Sequence, residues 1–552
     1  MFMVYTGLLI FLFIGVIAVY LGAVAQGRSG QSLHQSLNQH SDYVRFMQDK
    51  HELNRYGYAQ QLSRSFGSFT AFGASFSTLS AAGGALFLLG PAAAAGGPAV
   101  VGIGWPLLAL FGIVTACSLA MLASAFPLAG GCYHWAVACG GRRLAVITGW
   151  LHLSGNMVLL VAANLLCASW LNDTAGNLFG YDTSSWSLCA IMVGLYLSQT
   201  IVSCNGAVSL RRIWGSMTWL HLGFIVGVAG TLIAISWPGV VPLDRLYDIG
   251  GTSAGSSTSL SFLSGLLLLQ RLFIGGDAAA QLAEETVDPR INVPWSIYLS
   301  VVYIFIFGFV LFVILLMQFP SVTAGYGSYS ALGGWLTDLW LGWGGAASWM
   351  VCIVVLLLGW NSGLAAMNTG ARMLFSLARD NASPLPRRLS AVSEKTRVPI
   401  GSAVGIALAA GLVSSFLLFF STFGESTFVP LILSGMIALH LAYAIPIGLK
   451  IHARRGLIPP ALHGPWQVGK LSPFVDGVSF LWLMISAVVA IWILDGTTLS
   501  TAGAVFCCIA AYAEFIHQRG KKKGLLRTSE TIKFSRLKLD EMIRIERKFP
   551  QQ

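Results

Sequence analysis

The chain has 552 residues, of which 55% are hydrophobic and only 10% charged. A soluble protein carries about 25% charged residues, so a water-soluble fold is excluded, and apolar runs without alternation exclude a transmembrane β-barrel. The formal net charge of +11 does not mark a nucleic-acid binder, because the cations follow a loop pattern. Of the 33 Lys and Arg, 11 lie between Arg519 and Lys548. Another 14 lie in the loops at Arg142–Arg143, Arg211–Arg212, Arg290, Arg379–Arg397 and Lys450–Lys470, and five in the linker from Arg28 to Arg64. The interleaved loops hold only Arg245. This is the positive-inside distribution, which puts the basic loops and the C-terminal tail in the cytoplasm.

In chain order, residues 1–25 form an extra hydrophobic helix, Val4 to Val24 being apolar with no cation before it and Arg28 behind it. Three readings stand side by side. It is an uncleaved helix with its N-terminus outside; or a secretory signal cut after the AVA of Ala23–Ala25; or residues 1–46 derive from an upstream start codon, since Met47 opens an ordinary polar N-terminal run. Residues 26–65 are a cytoplasmic linker. Apolar runs of about 20 residues, the length that crosses a bilayer, then predict twelve core helices. These lie near 66–90, 101–126, 143–171, 186–204, 212–236, 261–284, 293–318, 346–377, 400–421, 427–449, 477–494 and 498–516. GPAAAAGGP (90–98) and QFPSVTAGYGSYS (318–330) read as external loops, and 517–552 as a basic cytoplasmic tail with its one amphipathic stretch at LKLDEMIRIERK. The tail either is solvated or lies on an anionic inner membrane surface through Lys521–Lys523. Nine scattered cysteines show no metal-ligand spacing and read as small buried hydrophobes.

Two of the core helices are broken by their own composition. SFSTLSAAGGALFLLG is interrupted between Ser80 and Gly84, and LLLLQRLFIGGDAAAQLAEET at Gly275, Gly276 and Asp277. Unwound backbone has no water to bond in lipid, so such breaks persist only inside protein or beside a wet cavity. Two breaks in corresponding positions of two halves point to the substrate site of a secondary transporter.

The runs RSFGSFTAFGASFSTLSAAGG, ASAFPLAGGCYHWA (123–136), ITGWLHLSGN (147–156), GGDAAAQLAEET (275–286) and SGLAAMNTGARMLFSLARDNASP (362–384) resemble the amino acid/choline transporter branch of the amino acid–polyamine–organocation superfamily. The resemblance runs from about Tyr56 to Ile516. It implies an all-α polytopic membrane protein with a LeuT-like 5+5 inverted repeat: helices one to five over 66–236, helices six to ten over 261–449, and two extra C-terminal helices over 477–516. The broken helices would then be the first of each repeat. The chain departs from the pattern at Met121, where relatives often carry an acid, at Gly276, where many have an aromatic, and at Ala81 and Gly83. Those positions bear on the substrate rather than on the fold.

A zwitterion suits such a junction, because a broken helix presents free N–H groups on one side and free C=O groups on the other. By analogy with the superfamily, its carboxylate would meet the N–H groups of Gly83, Gly84 and Ala85. Its ammonium would meet carbonyls from Ser77 to Ser80 and from Phe273 to Gly275, and the small residues Ala81, Ala82, Gly83 and Ala85 leave room for it. The Ser80 hydroxyl adds one donor; Phe273 either closes over the ligand or packs in the core. Asp277, an ionisable group at mid-membrane, either binds an amine or caps the half-helix that follows it. Glu284 and Glu285 read as an inner gate paired with a basic loop, or as a solvated helix end. Arg271 snorkels outward. His152, His221 and His440 lie within helices; His221 sits where some relatives place a cation that substitutes for sodium, with core packing as the alternative. Asn156, Ser362 and Asn368 are pocket or ion-site groups, or helix-to-helix glue.

No nucleophile elbow, zinc-protease motif or phosphate loop is present, so the chain reads as no enzyme, with no cofactor and no metal. The expected function is an alternating-access carrier of an amino acid or small organic amine, coupled to protons or working by exchange. Its partners are that solute, the coupling ion and the lipid bilayer of the cell membrane, with no nucleic acid. A neutral amino acid, 4-aminobutyrate, choline and a polyamine remain open. A non-transporting membrane sensor is the reading from another class.

Overall fold

The computed structural model describes residues 2–37, 42–236, 239, 241–249, 258–318, 345–420, 428–454, 464–522 and 536–549. It is 84% helix, and among the described residues the only strand-like pairing is an isolated parallel bridge between Phe66 and Thr286. Among the described residues thirteen helices are long and apolar enough to cross a membrane, the first at Met3–Gly27 and the last at Gly496–Arg519. The long helices are α1 (Phe2–Leu37), α2 (Asp42–Arg55), α3 (Ser68–Leu79), α4 (Leu89–Gly96), α5 (Trp105–Ala125), α6 (Cys132–Gly140), α7 (Arg142–Phe179), α8 (Ser185–Cys204), α9 (Ala207–Ser236) and α10 (Thr258–Gln270). They continue as α11 (Pro289–Leu316), α12 (Gly345–Arg379), α13 (Ile400–Phe420), α14 (Phe428–Ala453), α15 (Ser472–Ile493), α16 (Gly496–Lys522) and α17 (Arg536–Arg547).

Composition separates inner from outer helices. α5 is apolar around its whole circumference and buried along nearly all its length, as a central helix should be. α13 is one-sided. Leu408, Leu412 and Phe416, one turn apart, face outward, while Ile406, Ala410 and Ser414 face the bundle. The Ser414 hydroxyl bonds Tyr196 of α8 at 2.9 Å. Polar groups thus sit between helices and hydrocarbon faces lipid, the inverse of a soluble protein. A charge cluster around the buried Asp476 locks the C-terminal helices on: Asp476 of α15 pairs with Lys450 of α14 at 3.0 Å and with Arg454, just past the end of α14, at 2.8 Å, and accepts from Ser118 of α5.

The stretch expected as an external loop at 90–98 is largely helical: α4 runs to Gly96, and the chain turns at Gly97 (φ +79). Residues 319–330 of the other expected loop lie outside the described residues, as do Lys523 and much of the tail. α1 packs through Phe11, whose ring stacks on Phe309 and lies tilted against Phe305 of α11, with centroids 4.5 and 4.6 Å apart, and through its Ala18 carbonyl, which accepts from Tyr298.

The linker is tied to the bundle rather than trailing. Asp49 of α2 accepts from the Asp288 N–H at 3.0 Å and lies 3.8 Å from Arg64, while α17 returns to place Glu546 2.7 Å from Lys50. Burial pushes the Asp49 carboxyl up to about 7 against the pull of Arg64 and the Asp288 N–H. Its folded value therefore lies above its unfolded one. The associated stability is full at acid pH and is lost as pH rises through about 7. Amide exchange across residues 56–67, corrected for the intrinsic rate, should accelerate between pH 6 and pH 8 in the wild type and stay level in Asp49→Asn.

Candidate functional site

The two interruptions meet in the middle of the bundle. α3 ends at Ser80, a non-glycine residue in the left-handed region (φ +49), and the chain re-enters helix at once through Ala81–Gly83, a wide π-turn at Gly84–Leu88 and α4. The break is thus a single residue, and Ala81, Gly83 and Gly84 are helical rather than unwound. The Ser80 hydroxyl caps the new start by accepting from the Gly83 N–H at 3.1 Å, as a serine N-cap does. The Gly84 N–H bonds the Ser80 carbonyl at 2.9 Å, and the Ala82 N–H bonds His221 Nε2 at 3.0 Å. Gly84 serves proximity: a Cβ there would lie 2.4 Å from Leu272 Cδ1.

The second break is wider. α10 stops at Gln270, tightens over Arg271–Phe273, extends at Ile274 and turns at Gly275 (φ +101), a conformation that favours glycine. One turn, Ala278–Gln281, and a tighter one, Ala283–Glu285, complete the helix. The Ser75 hydroxyl accepts from the Ala279 N–H at 3.0 Å, stitching the two broken helices together. Arg271 does not snorkel outward. It turns into the junction, where Nη1 donates to the Ile274 carbonyl at 3.0 Å and Nη2 to the Thr78 carbonyl at 3.3 Å. The guanidinium therefore holds carbonyls on both sides that an ammonium was expected to use.

A cavity of about 60 Å³ opens at this junction, between the broken helices, α7, α12 and α14. Thr78, Ser80, Gly83, Gly84, Arg271 and Ser362 supply its polar and backbone surface, and Phe87, Leu88, Leu159, Leu166, Leu272 and Ile432 much of its apolar wall. Of the residues singled out from sequence, Ser80, Gly83, Gly84, Arg271 and Ser362 line it. Ser77 does not: its hydroxyl accepts from Asn361 of α12 at 2.8 Å. Ala81 and Gly275 lie behind the wall. Phe273 packs in the core, its ring 4.8 Å from that of Trp105 and against Gly112 of α5.

Asp277 also faces away from the cavity. Its carboxylate is fully buried, 2.7 Å from His152 Nε2 of α7, and accepts from Tyr443 of α14 and from Gln281 Nε2 at 3.2 Å. It does not cap the half-helix that follows; its main-chain carbonyl alone receives the Ala280 N–H, at 2.8 Å. Asn156, one turn along α7, approaches the His152 ring at 3.1 Å and donates to its carbonyl at 3.0 Å. Folding also brings the Cys132 thiol within 4.8 Å of the donor atoms of His152 and Asp277, a convergence of three helices that spacing cannot reveal. The His152–Asp277 bond already engages two of these atoms. His221 Nε2 accepts an N–H and is therefore unprotonated at that nitrogen, which makes the ring a fastener for the first break. His440 is bonded on both nitrogens, to Met436 and Gln270.

On the side of the basic loops lie two buried ion pairs. Glu285 and Arg372 form a bidentate pair at 2.8 and 3.1 Å, with Arg372 also donating to Asn368. Glu284 and Arg379 form another at 2.8 and 2.9 Å, and Arg379 lies 3.9 Å above the Tyr58 ring. Burial raises the Glu284 carboxyl, but Arg379 outweighs it and holds the group below the usual glutamate value. Tyr58 and Tyr133 both donate to Asp380, and burial holds His134 beside them down at about 4. Glu284 and Glu285 are buried rather than solvated, and their partners, Arg372 and Arg379, escape sequence reading because they lie on a different helix.

Helices that span a membrane, broken around a small cavity with polar backbone at its wall, define a polytopic membrane protein built to pass a small solute. The amino acid permease family model matches residues 66–524, and the chain belongs to that family and is an amino acid transporter. It is 27% identical over 462 residues to an amino-acid permease, BAT1, of Arabidopsis thaliana, covering 79% of this chain and 87% of that one. It is 26% identical over 458 residues to a BAT1 homologue of Oryza sativa subsp. japonica (78% and 85%), and 24% identical over 498 residues to a GABA-specific permease of Saccharomyces cerevisiae (85% and 82%).

Proposed function

We propose that this chain is a secondary active carrier that moves an amino acid across the cell membrane by alternating access, with the proton as coupling ion. The observation that carries this reading is the cavity at the meeting of two broken helices, closed on the basic-loop side by the Glu284–Arg379 and Glu285–Arg372 pairs. In this reading α3 to α9 and α10 to α14 are the two five-helix repeats, and α15 and α16 are additions. The basic tail is cytoplasmic, on the strength of the positive-inside pattern. The Asp277–His152–Tyr443 cluster is the proton site, since a buried carboxylate among hydrogen-bond donors changes its partners when it changes charge. Ser80 and the backbone around Gly83 and Gly84 touch the solute.

The reading is tested by uptake of labelled amino acids, including 4-aminobutyrate, into proteoliposomes holding the full chain. Accumulation should follow an inward proton gradient, collapse with a protonophore and ignore sodium. Uptake that depends on sodium removes the proton, and binding without flux removes the carrier.

A further inference from the structure

Arg271 is a cation placed at mid-membrane beside the cavity. Its guanidinium has five N–H donors, and the Ile274 and Thr78 carbonyls account for two of them. Among the described residues it forms no ion pair, and no Asp or Glu lines the cavity it borders. The nearby carboxylate, Asp277, is held by His152, Tyr443 and Gln281. A guanidinium within a membrane protein is costly unless an anion faces it. The backbone donors at the first break offer no substitute receptor. The Ala82, Gly83 and Gly84 N–H groups are bonded to His221, the Ser80 hydroxyl and the Ser80 carbonyl.

We infer that Arg271 is the specificity-determining residue of the site and that its missing counter-ion is the carboxylate of the transported solute. This deepens the transport reading and rests on it. The planar fork suits a carboxylate, and the two carbonyls fix its orientation before the solute arrives. Much of the remaining cavity wall, from Phe87 and Leu88 to Leu159 and Leu166, is hydrocarbon and the cavity measures only about 60 Å³, so the solute beyond its carboxylate is short. An ammonium on the same molecule has the Ser80 and Ser362 hydroxyls within the cavity. A solute with positive charge alone, such as choline or a polyamine, meets Arg271 with like charge and no lining acid.

The test uses the full chain in proteoliposomes with binding and uptake measured for a panel of amino acids, 4-aminobutyrate, choline and putrescine. For each carboxylate taken up, its primary carboxamide is the control. The wild type should prefer carboxylate to carboxamide by about 30-fold or more, the loss expected when one partner of a desolvated charge pair is removed. Arg271→Gln should bring that ratio to near one, and Arg271→Lys, which keeps the charge but not the fork, should retain part of it. Melting temperatures show whether either variant folds; Arg271→Lys carries the test if Arg271→Gln does not. Carboxylate uptake with an unchanged ratio in the variants overturns the inference and leaves the carrier standing. Carboxylate binding without flux supports the role of Arg271 and overturns the carrier alone. A wild type that binds choline or putrescine and no carboxylate, or none of these compounds, overturns both.

Discussion

Glu285→Ala should lower stability by about 3–5 kcal/mol, the cost of leaving one member of a buried ion pair without its partner. Arg372 is 1% exposed, and both its bonds to Glu285 would vanish, leaving only Asn368 to satisfy a guanidinium sealed in the bundle. The effect should appear as a fall in detergent melting temperature and as new labelling of cysteines introduced on the inner side of the cavity. Pairing it with Arg372→Leu should recover much of the stability, because removing both charges removes the desolvation cost as well. The double variant would lack one of the two pairs of the proposed inner gate while keeping the Glu284–Arg379 pair. Its inner side should therefore label faster than that of the wild type even where melting is restored. A double variant that melts as low as the single one would show that Arg372 acts through contacts other than Glu285.

Asp277→Leu should be worse than Asp277→Asn by several kcal/mol. Leucine leaves His152, Tyr443 and Gln281 buried against hydrocarbon, and each orphaned polar group costs about 1–3 kcal/mol. Asparagine keeps the volume and one acceptor, so Asp277→Asn should fold and reach the membrane. It has no titrating charge, so accumulation driven by a pH gradient should disappear while solute exchange at equal pH on both sides persists. Measuring the two modes side by side separates a proton site from a solute contact. Gradient-driven accumulation surviving in Asp277→Asn would take Asp277 out of the coupling step, and loss of both modes would put it in solute binding.

The membrane architecture is legible in the sequence because lipid imposes length and apolarity on every crossing. The second break is legible for a related reason: Gly275 adopts a backbone angle that other residues resist, and Asp277 has no place in hydrocarbon unless it is held. The first break is legible in position and misleading in cause. The glycine pair drew attention, yet the turn is made by Ser80, and Gly84 is small so that Leu272 can rest on it. Arg271 reads as a snorkelling residue from its own helix, since nothing local shows that the Thr78 carbonyl lies opposite. The same limit hides Tyr443 from Asp277 and Arg372 from Glu285. Sequence periodicity reports which face of a helix is apolar, but meetings between helices are set by packing, which no short window contains.

The parallel bridge at Phe66 and Thr286 has a mechanical consequence. The Glu285 carbonyl receives the N–H groups of Ser65 and Phe66, and the Val287 N–H returns to the Phe66 carbonyl. Arg64 and Gln60 add bonds to the Thr286 and Glu284 carbonyls. The entrance to one interrupted helix and the exit of the other are therefore splinted at their inner ends, with Ser75 and Ala279 riveting them higher up. Any tilt of the first must drag the second with it, so in the proposed alternating-access cycle the pair would swing as one lever whose handle is the stretch from Tyr58 to Phe66.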